Sequence, residues 1–395
     1  DFNNAEKVVT DNIAIGDEAL NSTGANGQVG TIAIGSNALT ALTSGNGNTA
    51  VGYESGKSLT TGTHNTAIGY RALDADAEGD YNTCIGSGAG GGFNNTGNDH
   101  NTCIGYNAGT GGNNQDVDDI VAVGSEALNN IDNNNADGSV GVGRSALKQL
   151  TSGARNTGVG YESLRYLSSN ENNTALGYYS GLFATGSNNT AIGNSALEGG
   201  GGGTTTSNAT AIGHHALKNQ TSGQNNTALG ANAGDLIATG SDNIIIGQGA
   251  DPSASGGANQ IVIGKGASGV QDNSAIIGNS SCADVFMGDN GSAWSTTSDG
   301  RLKENVEDWN VGLDAINNLR IVSYNFKKDN PYKYDSDKKR QGIIAQEAQK
   351  VLPEMIKDDG EWLSANQEPM IWALVNAVQE LSTEVNQLKQ QLKDK

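Results

Sequence analysis

Few side chains in this sequence are spaced to do chemistry. Ser298, followed by Asp299, stands five residues before Lys303. A hydroxyl and an amine can serve as nucleophile and base, yet by residue type alone the pair reads as a turn-capping serine and a surface lysine. His214-His215 has no His, Cys or carboxylate cluster at metal-ligand spacing and reads as an exposed loop pair. The run Asp132-Asn133-Asn134-Asn135-Ala136-Asp137-Gly138 offers oxygen ligands without the closing Glu of an EF-hand loop, so a solvated turn is expected. Glycan cleavage needs paired carboxylates in an aromatic-lined groove; here the acids are scattered and no Trp precedes Trp294. No metal or cofactor is expected.

The elements behind these residues are repeats. Sixteen near-copies of one pattern, clearest in Asn65-Thr66-Ala67-Ile68-Gly69-Tyr70-Arg71-Ala72-Leu73, align on glycines from Gly16 to Gly278, mostly 17 or 19 residues apart. That period predicts stacked coils, a parallel β-solenoid or β-roll, in place of one globular core. The residue before the glycine is always Ile, Val or Leu, and that column is expected to face inward. Two before it stands Ala, Cys or Gly in thirteen copies, where a neighbour comes close; three after it stands Ala or Ser, often followed by Leu or Gly. The glycine turns the chain where a side chain would obstruct.

Four before the glycine, Asn occurs in ten copies, Asn48, Asn65, Asn82, Asn101, Asn156 and Asn226 among them. These asparagines either form side-chain ladders from coil to coil or simply suit a turn. Cys84 and Cys103 occupy one register of adjacent repeats, and Cys282 stands alone. Three cysteines make no disulfide framework; small hydrophobes in an inner layer are the favoured reading, a Cys84–Cys103 bridge the alternative. Polar stretches such as Thr43-Ser44-Gly45-Asn46-Gly47 vary in length and are assigned to the outer edge.

One coil carries few large apolar residues, which predicts that several chains share a core; a monomeric solenoid is the alternative. Three solenoids about one axis would bury the aliphatic column between subunits, and sixteen coils would run roughly 75 Å. The pattern resembles the head repeats of trimeric autotransporter adhesins, with a longer period and no membrane barrel following. That resemblance implies a trimeric parallel β-roll.

Composition divides the chain near residue 295. Residues 1–297 hold 9 Lys and Arg against 26 Asp and Glu, a net of −17; the remainder hold 14 against 17, a net of −3. An acidic, Gly- and Asn-rich surface repels nucleic acid and anionic lipid. No apolar run approaches the roughly 18 residues that cross a bilayer, and no signal peptide is visible. The sequence starts at Asp1 without Met, so a missing N-terminal attachment region is expected.

From Ser298 the pattern changes. Leu313, Ile316 and Leu319 mark a helix face over 311–320, Val322, Tyr324 and Phe326 alternate as a strand, and 342–352 predicts an amphipathic helix stopped by Pro353. After Pro369, Ile371, Leu374, Val378, Leu381, Val385, Leu388 and Leu392 follow spacings of three and four, a coiled-coil seam. Its β-branched residues at one core position and Leu at the other favour two strands, against the three expected from the repeats. The alternative is a helix packed on its own domain. The division is therefore 1–11 lead-in, 12–290 array, 291–297 linker, 298–365 small α/β unit, and 366–395 terminal helix.

Ser298-Asp299 with Arg301-Leu302-Lys303, then Gly342-Ile343-Ile344-Ala345-Gln346-Glu347, then Leu352-Pro353-Glu354 and the terminal helix resemble the peptidase S74 domain. This is the intramolecular chaperone of phage endosialidases, tail spikes and neck appendages. The resemblance implies a trimerising chaperone that guides folding of the preceding β-structure and then cuts itself away. Ser298 would supply the nucleophile and Lys303 the base, cutting Thr297 from Ser298 or just after Ser298. Identical repeats invite register slips, which a C-terminal clamp would prevent. The reading is a homotrimeric phage tail fibre or spike of the extracellular virion, binding a host receptor or glycan and other tail proteins. Its rivals are a bacterial cell-surface or secreted adhesin with the same chaperone, and a glycan depolymerase.

Overall fold

The computed structural model describes residues 11–22, 28–93, 97–111, 117–131, 136–200, 204–279, 301, 303–329, 336–358, 360 and 362–394. It divides into two compact units, Asp1–Cys282 and Ala283–Lys395. In the first, sixteen three-residue strands, β1 (Ile13–Ile15) to β16 (Ala275–Ile277), form one sheet in which spatial order is sequence order. Every pairing is parallel and in register, as in Thr49↔Thr66, Ala50↔Ala67 and Val51↔Ile68. The expected parallel solenoid is present.

The strand interior reverses one expectation. In a strand successive side chains point to opposite faces, and here the middle residue takes the inside: Ala33, Ala50, Cys84, Cys103 and Ala211 are fully buried. The aliphatic residue before the glycine faces out; Ile15 is 59 % exposed and Leu176 49 %. The coil is too thin for anything larger in most copies, so the small residue goes in and the aliphatic column becomes an uncovered stripe.

The core nonetheless runs unbroken along the array. It combines the buried small residues with Leu39, Leu73, Leu128, Leu147 and Leu217, four after the glycine, and with Leu42, Leu59, Phe93, Ile131, Leu150 and Leu167, seven after it. One chain thus fills its own interior, which corrects the expectation that several must share it. What a second copy would cover is the outer stripe.

The aligned glycines explain the thin coil. Gly69 has φ +136°, and a Cβ there would overlap the carbonyl oxygen of Gly86 and lie 2.6 Å from its carbonyl carbon. Consecutive coils pack backbone on backbone at this column.

The asparagines form a ladder, but chiefly to backbone. Asn48 Oδ1 accepts the Asn65 N–H at 2.9 Å while Asn48 Nδ2 donates to Gly62 O at 2.7 Å. Asn65 repeats both bonds with Asn82 and Gly79. Amide-to-amide contacts join it in places, as from Asn173 Nδ2 to Asn156 Oδ1 at 3.1 Å. These bonds satisfy buried strand-end groups that would otherwise be orphaned. Each rung also demands a partner one coil away, which opposes register slip.

Cys84 and Cys103 are buried free thiols on adjacent strands, β5 (Thr83–Ile85) and β6 (Thr102–Ile104). A side-chain hydrogen bond with Cys103, and then burial, raise the Cys84 pKa well above the usual thiol range. This fits inert packing groups. Cys282 lies outside the described residues.

Asp76 is fully buried and accepts the Gly79 N–H at 3.0 Å. Burial pushes its pKa up to about 7, the Asp99 charge adds to this, and backbone bonds from Gly79 and Glu78 oppose it. The folded chain therefore prefers the neutral acid. Stability falls as pH rises from the ordinary carboxylate range through 7, by roughly 4 kcal/mol at most. Asp76→Asn is expected to raise the melting temperature at pH 8 and barely change it at pH 4; equal shifts at both pH values would refute the assignment.

Candidate functional site

In the second unit, α1 (Leu313–Asn318) leads to β17 (Val322–Tyr324), which pairs antiparallel with β18 (Arg340–Gly342). Helix α2 (Ala345–Ala348) and a 3-10 turn (Pro353–Met355) follow, then the antiparallel pair β19 (Ile356–Asp358) and β20 (Leu363–Ala365), and α3 (Glu368–Lys393). The helix expected over 342–352 is shorter than the pattern implied. Gly342 instead closes the β17–β18 ladder opposite Val322, which holds its segment extended, and helix starts only at Ala345. The helix ends at Ala348, ahead of Pro353, which opens the 3-10 turn that follows.

A small core of Leu352, Met355 and Ala373, flanked by Val311, Ile316, Ile343, Ile356 and Met370, seats the first turns of α3. Polar contacts latch it. Asn376 Nδ2 donates to Trp309 O at 2.7 Å and to Val311 O at 3.0 Å, and Glu380 Oε2 accepts the Leu313 N–H at 2.8 Å. The docked face is Met370, Ala373 and Ala377, spaced three and four apart.

A different face carries the seam. Ile371, Leu374, Val378, Leu381, Val385, Leu388 and Leu392 are all exposed, from 43 % at Leu374 to 75 % at Leu392. The two sequence readings of this helix are therefore both present, on separate faces. One face holds α3 to its own domain; the other presents an unpartnered apolar strip.

Ser298 and Asp299 lie outside the described residues, so the structure gives no Ser298–Lys303 geometry. Lys303 is exposed. Among the described residues no group of three or more His, Cys, Asp or Glu could hold a metal ion. His214 and His215 contact each other, ring centroids 3.6 Å apart. Residues 132–135 of the Asp132–Gly138 run are outside the described set. No described helix is long and apolar enough to cross a membrane.

Sequence reasoning missed the surface ladders of the array. Tyr53 stacks on Tyr70, Tyr161 on Tyr178, and Tyr81 lies between His64 and His100 with centroids 5.1 and 5.2 Å away. The signal was available, since Tyr53, Tyr70, Tyr106, Tyr161 and Tyr178 all directly follow an aligned glycine.

Residues 298–357 match the family model described as the chaperone of endosialidase, peptidase S74. The chain is also 33 % identical over 104 residues to the myelin regulatory factor homolog 1 of Caenorhabditis elegans, covering 25 % of this chain and 11 % of that protein. It is 33 % identical over 118 residues to the long tail fiber protein Gp37 of Enterobacteria phage Ox2, covering 28 % of this chain and 43 % of that one. The matched stretch spans less than half the length of either relative. The expected S74-type segment is thus present at the C-terminal end of a β-solenoid.

Proposed function

We propose that this chain is the shaft of a virion tail fibre or spike, assembled as a homotrimer by its C-terminal chaperone, which then cuts itself away. The observation that carries the reading is the exposed seam of α3 beside a docked face: a helix already seated on its domain still presents seven apolar residues at coiled-coil spacing. The uncovered aliphatic stripe of the array calls for the same kind of neighbour. The endosialidase-chaperone match and the likeness to a long tail fibre supply the setting, in which the array would reach toward a host surface receptor and other tail proteins would hold its far end.

For cleavage, Ser298 is the nucleophile: its Oγ attacks the carbonyl of Thr297 while Lys303 takes the hydroxyl proton and passes it to the Ser298 amine as the peptide C–N bond breaks. Water then hydrolyses the resulting Thr297–Ser298 Oγ ester, leaving a carboxylate on Thr297 and freeing 298–395. A lysine acts as a base only when desolvated or crowded by charge. Lys303 is exposed in the single chain, so its activation is assigned to assembly, and processing should follow trimer formation.

Intact-mass spectrometry of the expressed chain and of Ser298→Ala tests this. The wild type should release a fragment of about 98 residues, 298–395 by cleavage before Ser298. The variant should stay whole and sediment at three times 40.4 kDa. An unprocessed wild type removes the protease role; a monomeric variant removes the trimer.

A further inference from the structure

Tyr53, Tyr70, Ser87 and Tyr106 follow the aligned glycine in four successive coils. Backbone bonds hold them in register: the Arg71 N–H donates to Tyr53 O at 2.9 Å, the Gly88 N–H to Tyr70 O at 2.9 Å, and the Asn107 N–H to Ser87 O at 3.0 Å. Tyr53 and Tyr70 stack with centroids 5.5 Å apart and planes 12° from parallel. The ladder then lacks one rung, because Ser87 stands where a ring would continue it. Tyr70 and Tyr106, 54 % and 56 % exposed, flank the gap.

Two coil steps of about 4.8 Å place these tyrosines about 10 Å apart. The rung between them is as small as residue types allow, Ser87 followed by Gly88. The Asn107 Oδ1 leans over Gly88 and would collide with a Cβ there, which sets an amide against the residue that follows Ser87. Arg71 lies 5.9 Å from the Tyr70 centroid, but its Nε is tied to Glu54 of the preceding coil at 2.8 Å, on the side away from Ser87. Elsewhere a ladder end is covered by the chain itself: Arg144 sits 5.6 Å from the Tyr161 centroid and donates to its hydroxyl at 3.2 Å.

We propose that the gap is a binding slot for one neutral pyranose ring, held between Tyr70 and Tyr106 with its hydroxyls on Ser87 and the Asn107 amide. Hydroxyls select the occupant. A planar aromatic ring fits the spacing too, since Tyr53 and Tyr70 stack with centroids 5.5 Å apart, but a pyranose also carries hydroxyls around its edge that can pair with Ser87 and the Asn107 amide. Charge selects too, since residues 1–297, with a net of −17, repel acidic sugars. The assignment deepens the attachment reading and rests on it only for its biological setting, because sugar binding is read directly.

Saturation-transfer NMR on the full chain tests the slot, using methyl β-D-galactopyranoside, methyl α-D-glucopyranoside and methyl α-D-mannopyranoside at millimolar concentration, with N-acetyltyrosinamide alongside. At least one glycoside should receive saturation at its ring protons from the wild type. Tyr106→Ser should abolish the signal by removing a wall. Ser87→Tyr should abolish it by filling the missing rung, with the melting temperature unchanged or raised. Undiminished transfer in both variants, no transfer to any of the three glycosides, or transfer to the tyrosinamide alone overturns the proposal. Any of these results leaves trimer formation and Ser298 cleavage untouched.

Discussion

Gly69→Ala is expected to unfold the coils around it, with a loss of about 3–5 kcal/mol of local stability. Two costs add. At φ +136° an L side chain is strained whatever the space around it. The new Cβ would also overlap the Gly86 carbonyl oxygen, and backbone packed against backbone has no flexible end to give way. Because the array is a stack of nearest-neighbour contacts, the damage should stay local, and a single unfolding midpoint would understate it. Hydrogen exchange is the suitable measurement: amides of residues 49–86 should lose protection while those near residue 245 keep theirs. Gly249→Asn is the control. It sits two residues after an aligned glycine at φ +60° with open space around it, where Glu54 and Arg71 occupy the same position in other coils at φ 54°. That variant should be close to neutral, and comparable loss of protection from both substitutions would show that the aligned glycine has no special role.

The second large effect is expected from charges in the seam of α3. Leu381→Asp together with Leu388→Asp should abolish assembly, since both side chains are exposed in the single chain and neither belongs to the face docked on Leu352 and Met355. A carboxylate at a coiled-coil core position would be buried without a partner in the assembled bundle. The domain itself should remain folded, held by Ala373, Asn376 and Glu380. Sedimentation equilibrium should report a monomer, and mass spectrometry should find the chain unprocessed if Lys303 is activated by assembly. A doubly substituted chain that still sediments as a trimer would place the interface elsewhere.

The parts of the fold that sequence disclosed are those where one residue type meets one geometric demand. Only glycine tolerates the φ of Gly69 with Gly86 against it, so the column could be read directly. The Asn column was equally visible, though whether its amides would bond each other or the backbone was not, because that depends on where the carbonyls of Gly62 and Gly79 fall. The aliphatic column was placed on the wrong side. Hydrophobicity alone favours the interior, but coil thickness decides which of two adjacent residues enters, and thickness is a property of the closed coil. The inner positions seven after the glycine were harder to read for another reason: Leu42, Leu59, Leu150 and Leu167 share the column with Phe93, Ile131 and Ala184, and loop lengths shift around them. In the C-terminal unit the seam was legible from its spacing, whereas the docked face of α3, made of Met370, Ala373 and Ala377, is too small-sided to announce itself.

A sheet whose strands follow one another in chain order, each touching only the one before and the one after, behaves as a ruler with interchangeable divisions. Duplicating or excising one 17-residue division moves everything beyond it by about 5 Å and leaves every other contact as it was. Length can therefore be retuned by recombination within the coding sequence, with no compensating change at either end.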